Sequence, residues 1–278
     1  MDRRCRRRRR SRLERKKMQI NKIFIDNLLN FGKELGQEVL DIQLDKSNLD
    51  IQTKKDDSPL SKADLHSNTR IRDFLSKNSE VKNYISEEDK EIAYEDRKDW
   101  DYYWLIDPID GTKEFIKGGD DFCINIALCK KDAPIFGYVC CPALGDQYYA
   151  IEGRGAFKNK DRIFCNSVDP DSHHLNVVAS KSHMNDETKN FVDNLSDSFG
   201  VNLINVGSSL KFCMVAEGKA DIYPRFGPTM EWDTCAPQII AQESGADVFV
   251  ADTLEPLTYN KENLLNPFFI VTNTTLVH

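Results

Sequence analysis

The sequence predicts an α+β lobe followed by an α/β lobe. Three observations predict it. Apolar residues recur at helical spacing from Ile20 onward, strand-like runs punctuated by glycine fill the middle, and strand and helix patterns alternate between residues 175 and 242. That alternation is the order that lays helices on a sheet. With 278 residues, 40% of them hydrophobic, the chain can bury a sizeable core and two packed lobes.

Residues 1–18 stand apart as a basic extension. Nine Arg and two Lys against Asp2 and Glu14 give +9 over residues 1–17, so the remainder of a chain of net charge −7 carries −16. Such a block is normally disordered and attracts acidic surfaces or nucleic acid. Two lobes are expected beyond it, at 19–168 and 169–278, divided at the polar stretch Asp169-Pro170-Asp171-Ser172.

The first lobe should open on an amphipathic helix, because Ile23, Phe24, Leu28, Phe31, Leu35, Val39 and Ile42 share one face. A polar loop, 52–60, leads to Ser61 and Asp64, which resemble a capping box for a second helix carrying Leu65, Ile71, Phe74 and Leu75. Val81–Ile85 reads as a short strand ending at Glu87-Glu88, and the charged run 89–101 as a mobile loop. Trp104-Leu105-Ile106 is a buried strand running into the turn Asp107-Pro108-Ile109-Asp110-Gly111. Strands follow at 122–128, 135–140, 148–151 and 156–157, forming an antiparallel sheet beneath the two helices.

In the second lobe, strands are expected at 175–179, 201–206 and 220–223, and helices at 187–195, 210–217 and 232–242. No internal repeat is visible. No apolar stretch approaches the roughly 20 residues that span a bilayer. The eight cysteines show neither a C-x-x-C pair nor zinc spacing, so reduced thiols in a cytoplasmic protein are expected.

The chemistry concentrates at the turn after Ile106. Pro108 fixes its own φ and lacks an N–H, so the turn can aim Asp107 and Asp110 into one pocket. Two close carboxylates repel unless a cation joins them. Hard oxygen ligands suit Mg²⁺, which takes one or two carboxylates together with substrate phosphate oxygens. Gly111 permits close backbone approach to a ligand, and the amides of Gly111, Thr112 and Lys113, opening a helix, would face an anion.

Asp107-Pro-Ile-Asp-Gly-Thr112 resembles the first signature of the inositol monophosphatase superfamily of Mg²⁺-dependent phosphatases. Glu231-Trp-Asp-Thr-Cys-Ala236 resembles its second, and Ser86-Glu87-Glu88 its upstream metal-binding acid. The resemblance covers about Ile20 to Val271 and implies a layered α/β/α/β/α sandwich with the site between lobes. It implies two or three Mg²⁺ held by Glu87, Asp107, the Ile109 carbonyl, Asp110 and Asp233. The stretch Lys55–Asp64 is similar to the family segment carrying the acid that helps activate water. In that register the acid is Asp56, hydrogen-bonded to Thr112, whose hydroxyl orients the water.

Lys113-Glu114-Phe115 and Gly227–Asp233 look like the branch that removes the 3′-phosphate from adenosine 3′,5′-bisphosphate. The resemblance places Glu87, Ile109, Asp110, Gly111, Thr112 and Asp233 against the substrate, and His183, Ser208, Lys211 and Arg225 on its nucleotide side. A Lys and an Arg suit a second phosphate, because cationic hydrogen bonds to phosphate are strong. Inhibition by Li⁺ is implied as well. The rivals are an inositol or sugar-bisphosphate phosphatase of the same superfamily, and a basic-tailed protein docking on RNA or an anionic membrane. The acidic body argues against a dedicated nucleic-acid partner. The expectation is therefore a cytoplasmic enzyme, monomer or homodimer, acting on a small phosphorylated nucleotide. Peripheral attachment to the cytoplasmic face of the inner membrane is the alternative.

Overall fold

The computed structural model describes residues 20–45, 49–54, 59–167, 174–180 and 184–273. Helix α1 (Lys22–Leu44) starts at Asn21, whose side chain accepts the Phe24 N–H, and buries the apolar stripe named above with the exception of Ile23, which is exposed, and Ile42, which is half-buried. A two-residue hairpin, β1 (Gln52–Thr53) and β2 (Pro59–Leu60), leads into α2 (Lys62–Asn78), and Ser61 and Asp64 close the expected capping box.

Seven strands then form one sheet in chain order: β3 (Tyr84–Ser86), β4 (Tyr102–Asp110), β5 (Cys123–Lys130), β6 (Ala133–Cys141), β7 (Asp146–Ile151), β8 (Gly155–Lys158) and β9 (Asp161–Ile163). All neighbours are antiparallel except β3 and β4, which run parallel. The sheet is therefore mixed rather than purely antiparallel.

Side chains of β4 alternate between two cores, as the two-residue period of a strand requires. Trp104 and Ile106 face α1 and α2, where Trp104 stacks on Phe24 at 6.0 Å and meets Phe136 edge-on at 6.3 Å. Tyr103 and Leu105 face the opposite way, into a core shared with the second lobe. Burying a large apolar side chain contributes about 1.5–3 kcal/mol, so a strand buried on both faces anchors the layer.

Helices α3 (Tyr94–Arg97) and α4 (Thr112–Ile116) flank β4 in sequence. The run 89–101, expected to be a loop, contains α3, and Arg97 in it is buried. Its guanidinium donates to Asn260 Oδ1 (2.8 Å) and to the Glu262 carbonyl (3.0 Å), fastening the segment to the stretch around residues 260–262. A charged composition conceals such an anchor, since its partners lie more than 160 residues away.

The second sheet has the order β11-β10-β12-β14-β13, from β10 (His174–Ser180), β11 (Gly200–Val206), β12 (Ile222–Arg225), β13 (Asp247–Val250) and β14 (Phe269–Thr272). The first three run parallel, and β13 and β14, unread in the sequence, join antiparallel. Helices α6 (Leu210–Ala216) and α7 (Glu231–Ser244) pack between the sheets, and α5 (Asp186–Ser196) covers the far face of the second. The layers are thus α1/α2, sheet, α6/α7, sheet, α5, the expected sandwich. Among the described residues no helix is long and apolar enough to cross a membrane.

Seven described cysteines are free thiols, and all but Cys165 are buried. Cys129 and Cys235 bring their sulfurs to 3.1 Å between β5 and α7, and Cys123 and Cys141 to 3.4 Å between β5 and β6. They pack as small hydrophobes.

Close packing of α7 on the first sheet depends on Gly137. A Cβ there would stand 2.2 Å from the Ala236 carbonyl oxygen and 2.6 Å from Ile239 Cγ2. Gly137→Ala is expected to cost about 3 kcal/mol through overpacking, a fall in Tm of roughly 6–12 °C for a protein of this size. Thermal unfolding followed by circular dichroism checks this, and an unchanged Tm would show that the helix–sheet contact is not tight there.

Candidate active site

Strand β4 runs through Pro108 to Asp110, with its pairing to β5 irregular between Asp107 and Asp110. The turn foreseen after Ile106 is thus a bulge within the strand, and a bulge re-aims side chains. Asp107 is fully buried and accepts the Ile109 N–H at 3.1 Å. Gly111 follows with φ +93°, and a Cβ there would meet the Asp121 carbonyl oxygen at 2.9 Å and Ser208 Cβ at 3.3 Å. Glycine fits both the left-handed backbone and the close approach.

Asp233 arrives on the first turn of α7. Its Oδ2 accepts the Met230 N–H at 2.8 Å, so the carboxylate does cap the helix. Capping and clustering coexist: carboxylate oxygens of Asp107, Asp110 and Asp233 lie within 4.8 Å of one another. Burial and the neighbouring Asp110 and Glu87 push Asp233 up to about 8. Burial, then Glu87, Asp110 and Asp233, push Asp107 well above the usual carboxylate range.

One residue joins the two sheets at this point. The Ser209 backbone N–H donates to Asp110 Oδ2 at 2.5 Å, and its hydroxyl sits between that oxygen and the Asp233 carbonyl. Ser208 Oγ donates to the same Asp110 oxygen at 2.8 Å, and Asn125 Nδ2 donates to Ser209 Oγ at 2.7 Å. Ser208 has φ +57°, a strained value for a non-glycine residue. Lys211, itself buried, donates to its carbonyl at 2.7 Å and to that of Val206 at 3.3 Å. Burial pushes the Lys211 ammonium down to about 8.

Thr112 opens α4 and places its hydroxyl 3.0 Å from Asp64 Oδ1 and 3.0 Å from the Ile109 carbonyl. Asp64 also accepts the Ser61 N–H (2.8 Å) and hydroxyl (2.6 Å), and burial raises its pKa. Asp64 thus makes a contact with Thr112 of the kind expected of Asp56. Asp56, like His183, lies outside the described residues. Asp64 closes the same Ser-Pro-Leu-Ser-x-x-Asp stretch, and reading it only as a helix cap concealed its second contact. Ser209 carries no sequence signal, because its partners come from β4, β5 and α7.

A cavity of about 230 Å³ opens over these groups, lined among others by Glu87, Asp110, Thr112, Ser208, Lys211, Arg225 and Asp233. Arg225 donates from Nη2 to the Pro228 carbonyl at 2.9 Å, and its buried Nε has no partner among the described residues. Glu87 also lines a second cavity of about 610 Å³, bounded by Arg97, Met230 and Trp232. Burial raises Glu87, while contact with Lys54 opposes the rise; burial likewise brings Glu88 up to about 7.

The cavity lining thus brings Glu87, Asp110, Gly111, Thr112 and Asp233 together with Ser208, Lys211 and Arg225, while Asp107 joins through the carboxylate cluster and Ile109 through its carbonyl contact with Thr112. The donor set fits a divalent cation: it is all oxygen, and its clustered carboxylates repel unless neutralised.

Comparison with known proteins places this geometry. The family model described as "Inositol monophosphatase family" matches residues 21–268. The chain is 38% identical over 250 residues to the 3′(2′),5′-bisphosphate nucleotidase CysQ of Salmonella typhimurium, covering 89% of this chain and 99% of that protein. It is equally identical over 248 residues to the CysQ nucleotidase of Escherichia coli, covering 89% and 98%. Its fold superposes on the crystal structure of CysQ from Bacteroides thetaiotaomicron with a TM-score of 0.76 and 40% identity, over 86% of this chain and 93% of that one.

Proposed function

Because the chain belongs to the inositol monophosphatase family, we propose that it is a Mg²⁺-dependent phosphatase that hydrolyses the 3′-phosphate of adenosine 3′,5′-bisphosphate to give AMP and phosphate. Its sulfated relative is a second substrate of the same kind. The name carried by the 38%-identical relatives supports the substrate class. One observation carries the reading: Asp110, Asp233 and Arg225 line a single cavity, and buried Asp107 completes a three-aspartate cluster at its edge.

Asp107, Asp110, Asp233, Glu87 and the Ile109 carbonyl would hold the divalent ions. When bound, these supply positive charge to the phosphate oxygens and acidify water for in-line attack. The protein's own part is orientation. Asp64 accepts a hydrogen bond from the Thr112 hydroxyl, which leaves the Thr112 oxygen free to accept one from the attacking water, and so to hold it in line with the scissile bond. Ser208 and Ser209 fix one Asp110 oxygen and leave the other for the cation. No covalent phosphoenzyme is required.

Arg225 and Lys211 serve the second phosphate, Arg225 through its uncommitted donor and Lys211 largely by holding the Ser208 loop. The test is phosphate release with Mg²⁺ from adenosine 3′,5′-bisphosphate, inositol 1-phosphate and fructose 1,6-bisphosphate. The nucleotide is expected to be preferred. Arg225→Ala is expected to raise its KM about 10–100-fold with kcat within roughly threefold, the mark of lost binding shared by ground and transition states. Preference for inositol 1-phosphate, or an unmoved KM, would remove the nucleotide assignment.

A further inference from the structure

Helix α7 carries a proline in its interior, Pro237, with Asp233 on the turn before it and a helix that runs on to Ser244 after it. Proline is the least favourable residue for such a position. It has no N–H to give to the carbonyl four residues earlier, and its ring crowds that carbonyl and tips it away from the helix axis. The carbonyl so released is that of Asp233.

Its partner comes from another element. Ser209, the residue on which α6 begins, places its Oγ 3.0 Å from the Asp233 carbonyl oxygen and in hydrogen-bond contact with Asp110 Oδ2. Asn125 Nδ2, from β5, donates to the same Oγ at 2.7 Å, so the hydroxyl proton is left for those two acceptors. Ser209, Asn125 and Pro237 are all buried, which shields the junction from competing water.

The junction matters because the cluster is built from two elements. Asp107 and Asp110 belong to β4, whereas Asp233 belongs to α7, and the charges of Asp110 and Glu87 oppose its ionisation. Repulsion drives the helix and the strand apart. A bond from Ser209 to the backbone of Asp233 resists that separation without occupying the Asp233 carboxylate.

We propose that Pro237 is a positioning residue of the active site: by withholding an N–H it reserves the Asp233 carbonyl for Ser209, and that bond holds α7 where Asp233 completes the cluster. The proposal rests on reading the three aspartates as a divalent-cation centre. Alanine at this position would supply the ordinary helical bond, draw the carbonyl back to the axis and leave the Ser209 hydroxyl with Asp110 alone. A proline that served packing would act independently of Ser209. This one acts only through it.

The experiment compares the full chain with Pro237→Ala, Ser209→Ala and the double variant. Each is titrated with Mn²⁺ alone, the free ion being counted by electron paramagnetic resonance, and then assayed for phosphate release from adenosine 3′,5′-bisphosphate at saturating Mg²⁺. Pro237→Ala is expected to bind Mn²⁺ about tenfold more weakly and to lose about tenfold in kcat, the scale of one hydrogen bond, with KM unmoved to within about twofold. Ser209→Ala loses the contact with Asp110 as well and should fall further. The double variant should be no weaker than Ser209→Ala, since without the hydroxyl there is nothing for the carbonyl to be reserved for. Pro237→Gly, which also restores the N–H, serves if the alanine variant does not fold. Losses that multiply in the double variant, or a lowered Tm with parental Mn²⁺ affinity and kcat, would make Pro237 a packing residue and overturn its role alone. No Mn²⁺ binding by the parent would overturn the cation centre itself, and this proposal with it.

Discussion

Asp110→Asn is expected to abolish phosphate release, lowering kcat at least about 10³-fold, or roughly 4 kcal/mol of transition-state stabilisation, while the protein remains folded. The carboxylate is shared between two tasks. Oδ2 accepts from Ser208 and Ser209, and an oxygen of the same group belongs to the three-aspartate cluster. An amide cannot do both, because its NH₂ must face either the serine donors or the cation. Removing one charge also relieves Asp107 and Asp233, which repel it. Without divalent ions the variant should therefore melt no lower than the parent. Paired measurements of Tm and phosphate release check the result, and activity near the parental rate would remove the cation-centre reading.

The second large effect separates a helix cap from a catalytic support. Asp64→Asn should lower kcat about 10²- to 10³-fold, within the range of general acid–base and positioning effects, with about 1 kcal/mol lost from stability as the cap is damaged. Ser61→Ala removes a capping partner but leaves the Asp64–Thr112 contact. It should show a similar stability loss with kcat nearly unchanged. Equal losses of kcat in both variants would mean that Asp64 acts only by holding α2.

Much of the fold could be read from local pattern, and the reasons are visible in particular residues. The helical stripe through Leu28, Leu35 and Val39 and the doubly buried Trp104-Leu105-Ile106 carry their burial in their spacing. By contrast, β14 is a four-residue run whose register comes entirely from β12 and β13. It leaves no mark in hydrophobic period. The Arg97 anchor was hidden for the same reason.

In the site, the aspartates announced themselves through the proline between them and the glycine after them. Function was harder to see where one carboxylate does two jobs. Asp64 caps and supports Thr112, and Asp233 caps and clusters. Local evidence exposes only the cap. Ser209 belongs to a class that sequence cannot expose, since it matters through groups brought near by tertiary packing.

The seating of β14 between β12 and β13 has a consequence for the chain as it is made. Phe269–Thr272 is the last described strand, yet it lies inside its sheet rather than at the rim. A ribosome-bound chain can shape its first sheet, with Asp107 and Asp110 in place, while the second still lacks an inner member. The face that supports α7 and Asp233 settles only once that strand has emerged, so the three aspartates come together no earlier than Phe269–Thr272 is made.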